Sequence, residues 1–245
     1  MDNALYVGLS RQITLRRELD IAANNLANVD TAGFKVESLM KKVNPARPAR
    51  THSAPNPVKF VLGDALARDF GQGALRRTNA PLDLGIEGDA FFAVSTPEGD
   101  RYTRDGRFRL DDQGKVVSDA GHAVQGDGGG EILIDSKKGP LIIAADGTIS
   151  QGTERVGKIG VVRFDLRSVL EKSGDNLLKN TANAPPAAAP DAMVRQGMLE
   201  NSNVRAVTEV TRLIEISRAY EQMARMMDAG AELSRRSIDR LGRVQ

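Results

Sequence analysis

The chain has 245 residues, 40% hydrophobic and 4% aromatic, enough for one or two domains with a real core. Its 34 basic and 32 acidic residues leave a net charge of +2, so no strong basic field exists to draw in nucleic acid. With no cysteine there is no disulfide framework, thiolate zinc site or cysteine nucleophile, and no apolar run of about 18 residues predicts a membrane span.

Met1, Leu5, Gly8, Gln12, Leu15, Leu19, Ala22, Leu26 and Val29 recur at alternating steps of three and four, which is coiled-coil spacing. Only Gln12 is polar, and Arg11, Arg16, Arg17, Glu18 and Asp20 lie off the stripe. The stripe runs into Asn24, Asn25 and Asn28, whose side chains compete with the helix backbone, and Gly33 can supply a left-handed residue past the end. A helix from residue 1 to about 30 is therefore predicted to stop between Asn28 and Gly33, with Phe34 as an apolar anchor beyond it. By spacing alone this is an ordinary helix C-terminus. Residues 44–57 hold four prolines and no bulky apolar residue and read as a linker. His52, inside that linker, reads as solvated.

From Leu82 the periodicity changes. Leu82 to Ile86 alternates, Ala90–Val94 is a short apolar run, and Phe108 and Leu110 face away from Arg107 and Arg109. Further strands read at 132–134, 141–144 and 159–164, separated by turns such as Asp105-Gly106 and Asp146-Gly147. Short strands with Gly-rich turns predict an antiparallel β domain, with Phe91, Phe92, Phe108 and Phe164 in its core. Arg101 and Lys115 read as outward positions.

Residues 173–192 look like a loop, and Glu200 to Asn203 reads as a helix start. A second heptad stripe follows through Ala206, Val210, Leu213, Ser217, Tyr220, Ala224, Met227, Ala231, Ser234, Ile238 and Leu241. Each terminal helix carries an apolar stripe with nothing local to cover it, so the two should pair, with neighbouring copies supplying further burial.

The predicted class is α+β: long N- and C-terminal helices pairing as a coiled-coil-like stem, with a central, mainly antiparallel β domain. The segments are an N-terminal helix over 1–43, a Pro-rich linker and extended connector over 44–74, and a β domain over 75–172. A return linker over 173–199 and a C-terminal helix over 200–245 complete the chain.

Chemistry is hard to place. His122 sits in a turn-rich stretch, and no HExxH, GxSxG or phosphate-loop string occurs. Asp111, Asp112 and Asp127 lack calcium-loop spacing and suit turn geometry. No catalytic residue, cofactor or metal site is predicted.

The string NNLANVDTAGFK (24–35) closely resembles the N-terminal signature of the bacterial flagellar rod and hook axial proteins. PLDLGIEGDAFFAV (81–94) and YTRDGRFRLDDQGKVVSDAGHAVQG (102–126) resemble the β domain of the same family, and GMLENSNV with LIEISRAYE resembles its C-terminal signature. The resemblance covers about 1–39, 81–126 and 196–228. It implies a structural subunit, not an enzyme, that assembles helically into the drive shaft crossing the periplasm. The implied partners are copies of itself, other proximal- and distal-rod subunits and the flagellar type III export apparatus, which uses no cleaved signal. The assembly residues it marks are Asn24, Asn25, Leu26, Ala27, Asn28, Thr31, Gly33, Phe34, Glu200, Ser202, Asn203, Val204, Leu213, Ile214, Tyr220 and Glu221. The opening, with LSRQ and LRRELD, is more similar to the proximal-rod type than to the distal-rod type, which stays open as the alternative. The reading from another class is a β binding module or enzyme on a coiled-coil oligomerisation stem.

Overall fold

The computed structural model of the chain describes residues 2–43, 61–135 and 137–242. The proline-rich stretch 44–57, with His52, lies outside them. The chain divides into two compact units: Met1–Ala27 with Glu37–Asp69 and Arg205–Gln245, and Asn28–Val36 with Phe70–Val204.

The first unit holds helix α1 (Asp2–Ala27), strands β1 (Glu37–Val43) and β2 (Val61–Arg68), and helix α2 (Ala206–Gly242). The helices pack on each other through Leu15, Ala22 and Ile216, with Leu19, Leu213, Ala219, Tyr220 and Met223 around them. Gly8 of α1 stands at Met227 of α2, and Asn25 bonds Glu209, so the two helices run antiparallel. At about 1.5 Å per residue the longer one extends about 55 Å.

The buried rows differ from the expected stripes by one residue. On α1, Gly8, Leu15 and Ala22 are buried as the spacing requires. Their companions are Glu18 and Asn25, while Leu19 and Leu26 are only half-buried. On α2, Glu209, Ile216 and Met223 turn inward in place of Val210, Ser217 and Ala224, of which Val210 and Ser217 are exposed. A heptad continues equally well by three or by four residues. For Asn25, polar partners on β1 and α2 decide which row is used. Glu18 faces Arg11 at 3.9 Å, and Asn25 is held by three hydrogen bonds.

Residues 37–43 are a strand, not the tail of the helix. The helix ends at Ala27, and β1 pairs antiparallel with β2, Glu37 opposite Arg68 and Val43 opposite Val61, with a bulge between Met40 and Lys41. ESLMKKV has no strict apolar–polar alternation to mark it as a strand in sequence. The connector expected over 44–74 likewise contains β2, whose partner is visible only in three dimensions.

The second unit is built of short strands: β3 (Leu75–Arg77), β4 (Leu84–Glu87), β5 (Phe91–Thr96), β6 (Gly99–Thr103), β7 (Phe108–Leu110), β8 (Val116–Ser118) and β9 (Ala123–Val124). There follow β10 (Leu141–Ile143), β11 (Thr148–Gln151), β12 (Glu154–Lys158), β13 (Val161–Arg163), β14 (Leu170–Lys172), β15 (Leu178–Asn180), β16 (Ala187–Ala188), β17 (Met193–Gln196) and β18 (Met198–Glu200). The main sheet runs β14-β15-β6-β5-β9-β8-β7, with β13 pairing both β5 and β16. Its pairings are antiparallel.

Strand β5 is buried on both faces, which is why Ala90–Val94 is a continuous apolar run. Phe92 and Val94 enter one core with Phe108, Val116, Val124 and Ile159. Phe91 and Ala93 enter another with Phe70, Tyr102, Phe164 and Leu178. Edge-to-face rings fasten each: Phe92 on Phe108 at 5.0 Å, Tyr102 on Phe164 at 4.7 Å. All four phenylalanines expected in the core are there. Burial and the nearby Asp100 push the Tyr102 hydroxyl above its ordinary pKa.

Two expectations fail in this unit. The return linker over 173–199 carries β15, β16, β17 and most of β18, and β17 pairs with β4 to bring Val194 opposite Ile86. Its apolar residues are isolated among Ala and Pro, so no local periodicity announces these strands, and the partners of β17 and β18 lie about a hundred residues away. Arg101, expected outside, is buried: its guanidinium curls back on Glu98 and on the Glu98 and Asp100 carbonyls. Lys115 is half-buried and paired with Glu131 at 2.8 Å. Among the described residues no helix is long and apolar enough to cross a membrane.

Phe92→Ala should lower the unfolding free energy by about 3–5 kcal/mol. Leu166→Ala, at an exposed position, should change it by no more than about 0.5 kcal/mol. Urea titration of the full chain followed by circular dichroism measures both, and equal effects would place Phe92 outside the core.

Candidate assembly site: a buried carboxylate and an asparagine clasp

The residues marked by the terminal motifs form two clusters, one in each unit. In the second unit Asn28–Val36 is a tight turn. Thr31 donates its hydroxyl to Asn28 Oδ1 at 3.1 Å, and the Phe34 amide closes on the Thr31 carbonyl at 3.3 Å. Gly33 has φ +68°, and a Cβ there would lie 2.3 Å from the Arg104 carbonyl carbon. Any side chain at this point is both strained and excluded. Phe34 is buried beyond the turn, with the Lys172 ammonium 5.0 Å from its ring centre.

Glu200, at the end of β18, is the hub. Its Oε1 accepts from Lys35 Nζ at 2.6 Å and from the Gly73 amide at 2.8 Å; its Oε2 accepts from Arg104 Nη1 at 3.1 Å. The carboxylate and both cations are almost wholly inaccessible: side-chain exposure is 0% for Glu200, 4% for Lys35 and 2% for Arg104. Lys35 also donates to the Gly71 carbonyl and Arg104 to the Gly88 carbonyl, each at 2.7 Å. Burial pushes the Arg104 guanidinium below its ordinary pKa, and the bond and charge of Glu200 oppose that.

Main-chain bonds complete the cluster. The Gly33 amide reaches the Glu200 carbonyl at 2.7 Å, and the Val36 amide reaches Asn203 Oδ1 at 2.8 Å. Asn176 donates to the Ala32 carbonyl at 2.7 Å. A Cβ on Gly73 would fall 1.9 Å from the Asn201 carbonyl oxygen, so this crossing requires glycine. Two strings 165 residues apart in the chain thus share one charge centre.

In the first unit, Asn25 is fully buried and acts as a clasp. Its amide donates to the Glu37 carbonyl at 2.8 Å and to Glu209 Oε2 at 3.3 Å, while its Oδ1 accepts from the Glu37 amide at 2.9 Å. Arg68 in turn binds the Glu37 carboxylate at 2.9 Å.

The structure therefore gathers Asn28, Thr31, Gly33, Phe34, Glu200, Ser202, Asn203 and Val204 in one cluster, where Ser202 caps the Val204 amide at 3.2 Å. Asn25 belongs to the other. Glu200 and Asn203 do not start α2, which begins at Ala206; their side chains serve the turn instead. Asn24 and Ala27 lie on the exposed side of α1, and Leu26 is half-buried. Leu213 and Tyr220 pack at the helix contact, whereas Ile214 and Glu221 point outward, Glu221 accepting from Arg225. Reading the sequence missed Lys35, Arg104, Gly73, Glu37 and Glu209. The one available signal was an acidic residue directly after the apolar pair Met198-Leu199. Among the described residues no group of acidic or histidine side chains could hold a metal.

Comparison with known proteins places these segments. A family described as flagella basal body rod protein matches residues 5–35, the flagellar hook protein FlgE/F/G D1 domain matches 85–151, and the flagellar basal body rod FlgEFG protein C-terminal family matches 195–240. The chain is 55% identical to the flagellar basal-body rod protein FlgF of Caulobacter vibrioides, with 100% of both chains covered. It is 36% identical to that of Mesorhizobium japonicum, with 99% of both covered. To the flagellar basal-body rod protein FlgG of Caulobacter vibrioides it is 32% identical, over 94% of this chain and 96% of that one.

Glu200→Gln would leave two buried cations without their counter-charge. It should cost about 3–5 kcal/mol, whereas Glu154→Gln, in the exposed pair with Lys138, should leave the stability nearly unchanged. Chemical denaturation of both variants checks this, and a Glu200→Gln chain as stable as the parent would remove Glu200 as the hub.

Proposed function

The chain belongs to the flagellar basal-body rod protein family, and from that membership we propose that α1 and α2 form a coiled-coil-like stem through which subunits stack helically into the rod. Its role is structural. The identity to FlgF proteins supports the proximal rod as its place, in the shaft that carries torque across the periplasm to the hook and filament. Its partners are further copies and the neighbouring rod subunits, reached after export by the flagellar type III apparatus.

The observation that carries this reading is what the helix pair leaves uncovered. Tyr6, Leu9 and Ile13 on α1, and Val207, Val210 and Ile214 on α2, recur at three- and four-residue steps and are all exposed. Each trio makes one apolar face, and exposed apolar faces mark contact surfaces. The terminal family strings lie on these helices or next to them in sequence, and the β unit buries its own apolar residues in its two cores.

Val207→Asp with Ile214→Asp should leave the thermal melt almost unchanged, because both side chains are exposed. The same pair should abolish swimming in soft agar and remove the protein from purified hook–basal bodies. Leu166→Asp, exposed in the β unit, should do neither. Normal motility and normal recovery of the Val207→Asp, Ile214→Asp protein would overturn the assembly role of these faces.

A further inference from the structure

A helix pair patterned on sevens has a register problem. On α1 the buried positions repeat as Gly8, Leu15, Ala22 and as Glu18, Asn25; on α2 Glu209, Ile216 and Met223 repeat in the same way. Sliding one helix by seven residues, about 10 Å, puts the same rows face to face. Apolar burial alone therefore discriminates weakly between the native register and its two neighbours.

We infer that the register is set by two keys at opposite ends of the pair, a polar one at Asn25–Glu209 and a steric one at Gly8–Met227. The inference concerns pairing within one chain and stands apart from the assembly reading. In one slip, each α1 residue takes the place seven positions earlier, so Leu15 stands where Gly8 now faces Met227. A Cβ added at Gly8 would already lie 3.2 Å from Met227 Cγ, so an isobutyl group has no room there. In the other slip, Glu18 takes the place of Asn25. Glu209 would then lose the Asn25 amide at 3.3 Å and meet a second carboxylate, and Asn25, now fully buried, would leave the group it binds. Like charges in a buried contact oppose each other, and a buried amide stripped of its partners carries its desolvation cost. Each key blocks one direction. Asn25 and Glu209 thus act as positioning residues, as a single buried asparagine does in two-stranded helical pairs.

The native chain has no cysteine, so spin labels can be placed uniquely. Arg16 and Arg225 are exposed, and the Gly8–Met227 and Asn25–Glu209 contacts place them about one heptad apart along the pair. Arg16→Cys with Arg225→Cys, labelled in the full chain and measured by electron paramagnetic resonance, should give one separation. Adding Asn25→Ala with Glu209→Ala should create a second, longer separation. Adding Met227→Ala instead should create a shorter one. Glu209→Gln keeps an acceptor for the Asn25 amide and should retain the single native separation. The inference is overturned if both alanine variants keep only the native separation. It is equally overturned if they lose helical circular dichroism without a shifted population, which makes the keys merely stabilising, or if Glu209→Gln shifts as the Asn25→Ala, Glu209→Ala pair does.

Discussion

The carboxylate of Glu200 lies between a lysine from the N-terminal motif and an arginine from the β region, in a place water does not reach. An isolated buried charge is untenable, so each member requires the others. Around this centre the Gly33 turn, the Asn203 side chain and the Gly71–Gly73 backbone take their hydrogen bonds. The unit therefore cannot form from its contiguous middle alone: Asn28–Val36 must arrive from one side of the sequence and Glu200 from the other.

That closure gives a physical meaning to the two family strings. NNLANVDTAGFK is more than a helix end with an anchor attached. Its first part supplies the Asn25 clasp of the helical unit, and its last part supplies the turn and Lys35 of the β unit. ENSNV lies wholly in the β unit, where Glu200 and Asn203 serve the turn, and Glu209, which meets Asn25, follows a few residues on in the helical one. In a subunit that transmits torque, such polar locks favour one geometry over near-equivalents, a task for which non-directional apolar packing is poorly suited.

The two units are organised by different rules. The β unit satisfies its own apolar residues on both faces of β5. The helical unit does not: a narrow row is buried at the helix contact while Tyr6, Leu9, Ile13, Val207, Val210 and Ile214 remain at the surface. A helix pair of this kind reaches its full burial only with more helices around it.

The sequence by itself determined the helices at both ends, the left-handed Gly33, the buried Phe34, the phenylalanine core and the family, because each leaves a local mark. Heptad spacing, Gly-rich turns, apolar runs and motif strings are all legible within a few residues. It did not determine which of two adjacent rows each helix buries, since Leu15 is followed as well by Glu18 as by Leu19. Nor did it reveal the strands at 37–43 and 178–200, or the burial of Arg101. Those choices depend on partners supplied from elsewhere in the chain: Glu37 and Glu209 for Asn25, β4 for β17, and Glu98 with Ser173 for Arg101. The Lys35–Glu200–Arg104 centre is the extreme case, three charges of which only Glu200 was marked in the sequence, and that as a helix start. Only the tertiary structure brings them within hydrogen-bonding distance, and only there does burial make them interdependent.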